Sequence, residues 1–326
     1  MTVSVCIPTF NSSRYLRACV DSVLRQTCQD FELVVSDCAS TDDTCDIIRS
    51  YSDPRIRLFC PDRCLGMAFN LNHAAAQARG NYVKILCHDD MIEPTCLEKQ
   101  VSTLDRNPAL TMVTSGLRYV DANGQTLRLF IWLPEETILS TADAVAGTLV
   151  YGNVLGPPSA TLLRRESLIK AGPFSDQFPQ VMDLDLWLRV LALGPISYLP
   201  EPLCRFRLHP EATTERLRNT GVIRDDLRRI TETMLGLVMP TRMVRRVAWG
   251  RVAGSFLKQA MAGLRSGYVR WPLAAIGQAF RIDPALAGLV LLQMLFRTGV
   301  LGITVADGTM LQVCRGQGRV GRPWAN

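Results

Sequence analysis

The sequence predicts an α/β fold in which a mainly parallel sheet is flanked by helices, followed by a helical C-terminal extension. Through the first 90 residues, short β-branched segments alternate with segments whose apolar residues recur at helical spacing. Strands that alternate with helices of about 10 to 16 residues form βαβ units, which give parallel sheets. The chain has 326 residues, 48% hydrophobic and 20% charged, a composition that excludes a disordered protein.

Four strands and three helices are predicted in order along this region. In the first helix, Leu16, Val20 and Leu24 recur at helical spacing, and Asn11 or Ser12 is expected to cap its start. The predicted strands cover residues 3–8, 31–37, 56–61 and 81–90, and the predicted helices cover residues 12–27, 40–51 and 67–78.

Polar clusters follow three of these strands. The turn 8–11 follows the first strand, Asp37 ends the second, and Asp89 and Asp90 end the fourth. Open α/β sheets bind ligands beyond the carboxyl ends of their strands, where these clusters are expected to meet. Helix capping is the alternative for Asp89 or Asp90, because a helix is expected to begin near Pro94. Three clusters at one edge favour a functional site.

Seven segments in a consistent order carry a family resemblance. The chain resembles the family 2 inverting glycosyltransferases, which have the Rossmann-like GT-A fold and use nucleotide-sugar donors. The matching segments span roughly residues 3 to 210: VSVCIPTFN, CVDSVLRQT, FELVVSDCASTDDT, LGMAFNLNHAAAQARGNYVKILCHDD, PPSATLLRRESLIKAGPFSD, MDLDLWLRV and FRLHP. The resemblance implies inverting transfer of a sugar from a UDP-linked donor to an acceptor hydroxyl, in surface polysaccharide or glycolipid synthesis.

The resemblance makes Asp89 the ligand of a divalent cation, Mg²⁺ or Mn²⁺, with Asp90 in support at the donor site. Such a cation bridges phosphate oxygens and neutralises the charge that develops as the sugar departs. Family members often read LDxDD where this chain reads LCHDD, so Cys87 replaces the first acid. Metal binding is then expected to depend on Asp89 alone, completed by water and phosphate oxygens.

The nucleoside is expected at the ends of the first two strands. Asp37 resembles the family aspartate that reads the uracil ring, and an ordinary Asx turn is the alternative. Cys38 and Ala39 stand where the family often has Asp or Asn, and Gly. The turn after the first strand resembles the family's nucleoside-contacting backbone and supplies three further donor-binding residues: Pro8, Thr9 and Phe10.

An inverting transfer needs a base that takes a proton from the acceptor hydroxyl. MDLDLW stands where the family commonly has EDxDLW, and the resemblance makes Asp183 the catalytic base. The alternative is that Asp183 and Asp185 only favour the N-terminal dipole of a helix. Asp185 is the better capping candidate, and Trp187 is expected in the core or in the wall of an acceptor pocket.

The segment FRLHP supplies Arg207 and His209. Both are expected to fold over the diphosphate as a lid and stabilise the leaving group, with a purely structural role as the alternative for His209. His88 is expected either beside the metal or in a structural role. His73 is expected to pack, and Asn72, which matches a family asparagine, is expected to be structural.

Charge divides the chain near residue 215. The first 215 residues carry 19 basic and 25 acidic side chains, whereas residues 216–326 carry 17 and 5. We therefore expect a GT-A catalytic domain over residues 1–215 and a basic, mainly helical region over residues 216–326. The basic region suits peripheral association with an anionic membrane, and a solvated helix face is the alternative. No nucleic-acid motif accompanies the charge, so no nucleic-acid partner is expected.

Different structures are predicted for two segments near the C-terminus. Residues 285–296, ALAGLVLLQMLF, are too short for a bilayer span and are expected to form a buried or interfacial helix. The ending CRGQGRVGRPWAN is Gly/Arg-rich and is expected to be flexible.

Cysteine usage bears on the compartment. Nine of the eleven cysteines fall in the first 96 residues without a CxxC pair, and the chain opens on the strand-like MTVSVCIPTF with no signal peptide. Reduced thiols are therefore expected, in a cytoplasmic protein at the inner face of the membrane. The three histidines are too dispersed for a zinc site.

The expected partners are a nucleotide-sugar donor and a glycan or lipid-linked acceptor, and two other functions stay open. A nucleotidyltransferase can share the α/β core and the metal-binding acids, although MDLDLWLR argues against it. A catalytically silent nucleotide-binding module is compatible with the Cys87 replacement.

Overall fold

The computed structural model describes residues 2–61, 63–213, 222–238, 240–265, 276–277 and 279. The chain divides into two compact units, Met1–Ala212 and Thr213–Asn326. The first unit contains the sheet, and the described part of the second unit is mainly helical.

Strands and helices alternate along the first unit. The strands are β1 (Val3–Thr9), β2 (Phe31–Asp37), β3 (Ile56–Phe59), β4 (Tyr82–Ile85), β5 (Met91–Ile92), β6 (Met112–Val120), β7 (Thr126–Phe130), β8 (Thr137–Leu139), β9 (Leu162–Arg164) and β10 (Ile196–Arg207). The helices are α1 (Ser13–Leu24), α2 (Thr44–Arg49), α3 (Met67–Ala76), α4 (Cys96–Arg106), α5 (Thr141–Tyr151), α6 (Arg165–Ala171) and α7 (Met182–Leu191), with a 3-10 turn at Pro158–Ala160.

The strands of the first unit form one sheet. Its order is β3-β2-β1-β4-β9-β6-β10-β5, with β7 paired to β6 and β8 paired to β10. β1 is parallel to β2 and β4, β2 is parallel to β3, and β6 is parallel to β10. β5, β7, β8 and β9 join in antiparallel fashion. The predicted α/β fold, a mainly parallel central sheet flanked by helices, is confirmed.

The core lies between the central strands and their helices. Val5 and Ile7 of β1, Leu33 of β2, and Leu16 and Val20 of α1 all have no exposed surface and belong to one apolar cluster. Each such side chain stabilises the fold by roughly 1.5 to 3 kcal/mol when it leaves water. This packing fixes β1 and β2, and therefore the loops that follow them.

The fourth strand is shorter than predicted. β4 pairs with β1 only as far as Ile85, which lies opposite Cys6. The chain then turns, and the amide of Asp90 donates to the carbonyl oxygen of Cys87 at 3.1 Å. Asp89 and Asp90 therefore lie in a loop at the carboxyl end of β4.

The capping interpretation of these acids is wrong. The helix nearest to them in sequence, α4, begins at Cys96, and Thr95 occupies the position before it. The carboxylates of Asp89 and Asp90 bond to residues far away along the chain. The two acids therefore bond to these distant groups and not to the first amides of α4. No local sequence pattern reveals such contacts.

A disulfide joins Cys38, which directly follows β2, to Cys64 in the loop before α3. The two Cα atoms are 4.9 Å apart, and 26 positions separate the residues in sequence. The expectation of reduced thiols is wrong for this pair, because the fold brings together two cysteines that show no motif spacing. Eight other described cysteines are free.

The second unit contributes two described helices, α8 (Val222–Leu237) and α9 (Arg242–Arg265). Ile230 and Met234 of α8 and Val252 and Phe256 of α9 are buried. No helix in the described part of the chain is long and apolar enough to cross a bilayer. The expectations for residues 285–296 and for the Gly/Arg-rich ending lie outside the described residues.

Candidate functional site

The carboxylate of Asp37 ends β2 and is fixed by the loops around it. Thr9 Oγ1 and Ser40 Oγ donate to Asp37 Oδ1 at 2.9 and 2.5 Å, and the amide of Ser40 donates to Oδ2 at 2.9 Å. Ala39, inside this turn, has φ 57°, in the left-handed region that favours glycine. The carboxylate thus bonds to the amide three residues on, whereas the Asx turn of the alternative would bond two residues on, and these bonds hold Asp37 at the carboxyl edge of the sheet.

The loops after β1 and β2 are bonded to each other. The amide of Asn11 donates to Ser40 Oγ at 2.8 Å, and the amide of Thr41 donates to Asn11 Oδ1 at 2.9 Å. Phe10, next to Asn11, is 52% exposed. The exposed ring of Phe10 therefore directly follows Thr9, whose hydroxyl donates to Asp37.

Asp90 is a buried structural anchor. Ser159 Oγ donates to Asp90 Oδ2 at 2.5 Å, and the backbone amide of Arg207 donates to Oδ1 at 2.9 Å. Burial, followed by the nearby charge of Asp89, raises the pKa of Asp90 well above its ordinary value. Both carboxylate oxygens are engaged, so Asp90 ties the β4 loop to β10.

Asp89 contacts His209. His209 Nε2 lies 3.0 Å from Asp89 Oδ2, and the imidazole ring lies 4.8 Å from the ring of Tyr15. Burial, the largest single effect, raises the pKa of Asp89, but the hydrogen bond to His209 and the neighbouring histidine charges together outweigh it, and the pKa lies below its ordinary value. Asp89 is therefore held as a carboxylate. Among the described atoms, His209 Nδ1 is buried without a hydrogen-bond partner.

Arg207 braces the same loop from β10. Its Nε donates to the Asp89 carbonyl oxygen at 2.8 Å, and its Nη1 donates to the carbonyl oxygens of Asp121 and Ala122 at 3.2 and 3.0 Å. The guanidinium also lies 4.6 Å from the ring centroid of Tyr15. These contacts give Arg207 a positioning role beneath Asp89.

Three side chains of the LCHDD segment form a candidate cation site. The sulfur of Cys87 and the carboxylate oxygens of Asp89 and Asp90 lie within 4.8 Å of one another, and the described residues hold no other such group of three. Mg²⁺ and Mn²⁺ prefer oxygen ligands. Burial raises the pKa of the Cys87 thiol well above its ordinary value, which disfavours the thiolate. Because Asp90 is engaged, Asp89 is the ligand that fits a hard cation.

Asp183 lies in the first turn of α7. The amide of Leu184 donates to Asp183 Oδ1 at 2.8 Å, and Asn153 Nδ2 lies 3.5 Å from Oδ2. Burial raises the pKa of Asp183 to about 6. The charge of Asp183 also contributes to the raised pKa of Cys87, which places this carboxylate within electrostatic reach of the cation site.

The other residues of α7 have structural partners. Asp185 Oδ2 accepts from Arg189 Nη2 at 2.8 Å, and neither Asp183 nor Asp185 precedes the helix as its cap. Trp187 has no exposed surface, and its Nε1 donates to the carbonyl oxygen of Gly156 at 3.0 Å. Of the two roles expected for Trp187, the core position is the one observed.

Asn72, His73 and His88 lie outside the groups described so far. Asn72 is structural, because its side chain exchanges two 2.8 Å hydrogen bonds with the backbone of Phe174. His73 packs 5.9 Å from the ring of Phe69 and also bonds to Ser36 through Nδ1 at 2.8 Å. Burial lowers the pKa of His88, which favours a neutral ring beside Asp89.

Sequence reasoning missed Ser159 and Asn153. Ser159 Oγ accepts from the amide of Cys87 at 3.1 Å and donates to Asp90, while Asn153 approaches Asp183. Ser159 lies in PPSATLL, which is part of the family resemblance, but no function was predicted for its residues. Its position between two prolines and a strand was a signal that could have found it.

Comparisons with known proteins bear on the family and the fold of this chain. The profile described as Glycosyl transferase family 2 matches residues 4–170. An uncharacterized glycosyltransferase of Rickettsia felis is 29% identical over 220 residues, which are 67% of this chain and 36% of that protein. The chondroitin synthase of Escherichia coli is 27% identical over 214 residues, which are 65% and 30% of the two chains. The matched region thus spans about a third of these relatives.

Two solved structures show the same fold. S. aureus TarS 1-349 in complex with UDP-GlcNAc superposes with a TM-score of 0.62 at 18% identity, over 90% of this chain and 85% of that chain. The mannosyltransferase PcManGT from Pyrobaculum calidifontis, in complex with GDP-Man and Mn²⁺, gives 0.57 at 17% identity, over 91% and 80%.

The family profile covers more than half of the chain, and it runs from β1 through the LCHDD loop to the last residues of α6. The fold and the polar ends of β1, β2 and β4 are those expected from the resemblance. The chain belongs to glycosyl transferase family 2.

Proposed function

We propose that this chain transfers a sugar from a UDP-linked donor to an acceptor hydroxyl with inversion. The observation that carries the proposal is the opposite treatment of two acids, since the pKa of Asp89 is lowered and that of Asp183 is raised to about 6. Two carboxyl groups whose pKa values are shifted in opposite directions suit two different tasks, binding a cation and accepting a proton.

The donor nucleoside lies in this proposal at the bonded loops after β1 and β2. Asp37 reads the base, the backbone of Pro8 and Thr9 contacts the nucleoside, and the exposed ring of Phe10 packs on it. The UDP-GlcNAc complex of the structural neighbour TarS supports a uridine nucleotide.

Asp89 would hold Mg²⁺ or Mn²⁺ at the donor diphosphate, and a bound cation there neutralises the charge of the leaving group. His209 and Arg207 keep the Asp89 loop in place from β10. Asp90 supports the same loop from within, through Ser159. The Mn²⁺ complex of the neighbour PcManGT supports a divalent cation.

Asp183 is the base of the transfer. The acceptor oxygen bonds to the anomeric carbon on the face opposite the diphosphate, the carbon–oxygen bond to the diphosphate breaks, and the acceptor proton passes to the Asp183 carboxylate. A base with a pKa of about 6 is ionised at neutral pH and still holds a proton well enough to accept it. Because the acceptor oxygen attacks on the face opposite the diphosphate, the product has inverted anomeric configuration.

The acceptor is a glycan or a lipid-linked sugar at an anionic membrane surface, in polysaccharide or glycolipid synthesis. The first turns of α9 expose Met243 and Val247 beside three exposed arginines: Arg242, Arg245 and Arg246. Apolar side chains among cations suit anionic lipid headgroups. In this division of work, residues 1–215 catalyse transfer and residues 216–326 hold the chain at the inner face of the membrane.

Nucleotide binding by calorimetry tests the donor assignment. The full chain is expected to bind UDP more tightly than GDP, and Asp37→Asn is expected to weaken UDP binding by about tenfold, the loss of one charge-assisted hydrogen bond. Asp46→Asn, an exposed acid on α2, is the matched control. Equal binding of UDP and GDP by wild type and Asp37→Asn would exclude Asp37 as the reader of the base.

A further inference from the structure

Two aromatic side chains, Trp132 and Tyr151, lie together at the surface. The ring centroids of Trp132 and Tyr151 are 6.4 Å apart with an interplanar angle of 53°. Tyr151, the last residue of α5, is 45% exposed, and Trp132 is half-buried just beyond β7. We call this pair the aromatic platform.

The platform is rigidly built. A Cβ atom added to Gly147 of α5 would lie 2.4 Å from Trp132 Cζ2, so the indole rests directly on the helix backbone. The ring of buried Tyr198 meets Trp132 edge-on at 5.8 Å, and the amide of Trp132 donates to the Tyr198 hydroxyl oxygen at 2.7 Å. Glycine at position 147 therefore makes room for the indole, and Tyr198 fixes it from beneath.

One short segment connects the platform to the candidate active site. The segment 151–159 begins at Tyr151 and passes Asn153, which approaches Asp183 Oδ2 at 3.5 Å. It ends at Ser159, which bonds to Asp90. One residue separates Tyr151 from Asn153, so their Cα atoms lie at most about 7 Å apart. Tyr151 therefore lies within about 7 Å, Cα to Cα, of the residue whose side chain approaches the proposed base.

The polar ends of both platform residues are available. Within the described part of the chain, the indole N–H of Trp132 and the hydroxyl of Tyr151 make no hydrogen bond. Trp and Tyr with a free donor combine a flat apolar face with a polar edge. A sugar ring presents the complementary surface, since its C–H face is apolar and its hydroxyl groups form hydrogen bonds around the rim.

We propose that the aromatic platform is an acceptor subsite that binds a pyranose ring of a glycan chain whose terminal hydroxyl reaches Asp183. The ring stacks on Trp132 or Tyr151, and its hydroxyl groups bond to the indole N–H, the phenol and the Asn153 amide. This inference rests on the proposed function, because it takes Asp183 as the base. It makes the acceptor an oligosaccharide rather than a single sugar.

A lipid chain is the competing occupant. Leu127, Leu129 and Ile131, exposed at alternate positions along and just beyond β7, continue the apolar surface toward Trp132. An acyl chain needs apolar contact alone, whereas the platform offers two donors and an amide beside a carboxylate. The polar groups favour the glycan, and the experiment separates the two.

Fluorine NMR tests binding without any need for turnover. The full chain is labelled with 5-fluorotryptophan, and Trp132→Phe assigns the Trp132 resonance among the five tryptophans. The probes are chitotetraose, a chondroitin tetrasaccharide and the corresponding monosaccharides, with a short-chain phospholipid for the competing occupant. We expect a tetrasaccharide to shift the Trp132 resonance saturably, while the resonance of buried Trp187 stays in place. A shift produced only by the phospholipid overturns the glycan assignment.

Transfer kinetics test the same subsite. Tyr151→Ala is expected to raise KM for the tetrasaccharide acceptor by about 5- to 10-fold, the size of a lost aromatic contact, while KM for the donor changes by less than about twofold. Tyr151→Phe, which keeps the ring, is expected to recover most of the loss. Ile169→Ala, an exposed apolar residue on α6, is the control. An unchanged acceptor KM in Tyr151→Ala overturns the subsite.

Failure of this inference is distinguishable from failure of the proposed function. If UDP-sugar binds and is consumed, but no tetrasaccharide moves Trp132 and Tyr151→Ala behaves as wild type, then only the platform assignment falls. If no nucleotide sugar binds at all, the proposed function falls and the acceptor subsite falls with it.

Discussion

His209 Nε2 lies 3.0 Å from Asp89 Oδ2, across 120 positions of sequence. The contact joins the residues just after β10 to the loop after β4, and its hydrogen bond is the largest of the effects that lower the pKa of Asp89. In the described residues, no other side chain bonds to this carboxylate. The orientation of the proposed metal ligand therefore depends on one histidine.

Replacing His209 is expected to weaken cation binding without removing it. His209→Ala should lower Mn²⁺ affinity in the presence of UDP by about 10- to 100-fold, because the ligand loses its orienting partner. His209→Gln, which keeps a donor at similar reach, should lose less. Calorimetric titration with Mn²⁺ measures both, and Asp89→Ala gives the reference for full loss. Wild-type affinity in His209→Ala would remove His209 from the site.

The pH profile of transfer should report the ionisation of Asp183. A protonated carboxyl cannot accept the acceptor proton, so kcat/KM is expected to rise as pH increases through about 6 and to level off above it. In Asp183→Asn, the residual activity should be low and should lack this rise. A wild-type profile that is flat between about pH 5 and 7 would contradict the assignment.

Asp183→Asn should also stabilise the fold at alkaline pH. The folded pKa is raised to about 6 from 3.8, so the native state holds the proton more tightly and stability falls as pH rises across this window. Removing the buried charge is expected to raise the free energy of unfolding by about 1 to 3 kcal/mol at pH 8. The gain should vanish below pH 3.8, where both states are protonated.

Urea unfolding followed by circular dichroism measures this difference. The matched variant Asp185→Asn loses an ion pair with Arg189 and should show no gain at pH 8. A variant Asp183→Asn that is less stable than wild type at pH 8 would mean that the carboxylate is held by favourable contacts, and that its role is structural.

Thiol titration tests the Cys38–Cys64 disulfide. The denatured, unreduced chain should present nine thiols of its eleven cysteines. Cys64→Ser should present ten, because Cys38 is released, whereas the control Cys28→Ser should present eight. The bond closes a loop of 26 residues, and its loss should lower the free energy of unfolding by about 2 to 4 kcal/mol. Eleven thiols in the wild type would exclude the bond.

Local sequence pattern was enough to predict the alternating fold. The β-branched residues of β1 and the helical spacing of Leu16 and Val20 are patterns among residues that are close in sequence. Such patterns can be recognised without knowing the fold. The strand ends were less predictable, because β4 stops where its pairing with β1 stops. That limit is set by the sheet and not by residues 86–90.

The candidate site was predictable as a set of strand ends and not as a set of contacts. Asp37 ends β2 and Asp89 lies in the loop after β4, so topology alone brings them to one edge. The partners of Asp89 and Asp90 come from the last residue of β10, from His209 just after it and from the 3-10 turn, more than 60 positions away. The Cys38–Cys64 bond escaped detection for the same reason, since only the folded chain shows which cysteines meet.

Consumption of nucleotide sugars is the most direct test of the central claim. A panel of UDP-, GDP- and dTDP-sugars is incubated with wild type, Asp89→Ala and Asp183→Asn, with and without Mn²⁺, and the released nucleotide is measured. We expect one UDP-sugar to be consumed only with the cation, no consumption by Asp89→Ala, and intact donor binding but little released nucleotide in Asp183→Asn. If no nucleotide sugar binds or is consumed, and Asp89→Ala only lowers the melting temperature, the acids at the end of β4 are structural and the chain is not a glycosyltransferase.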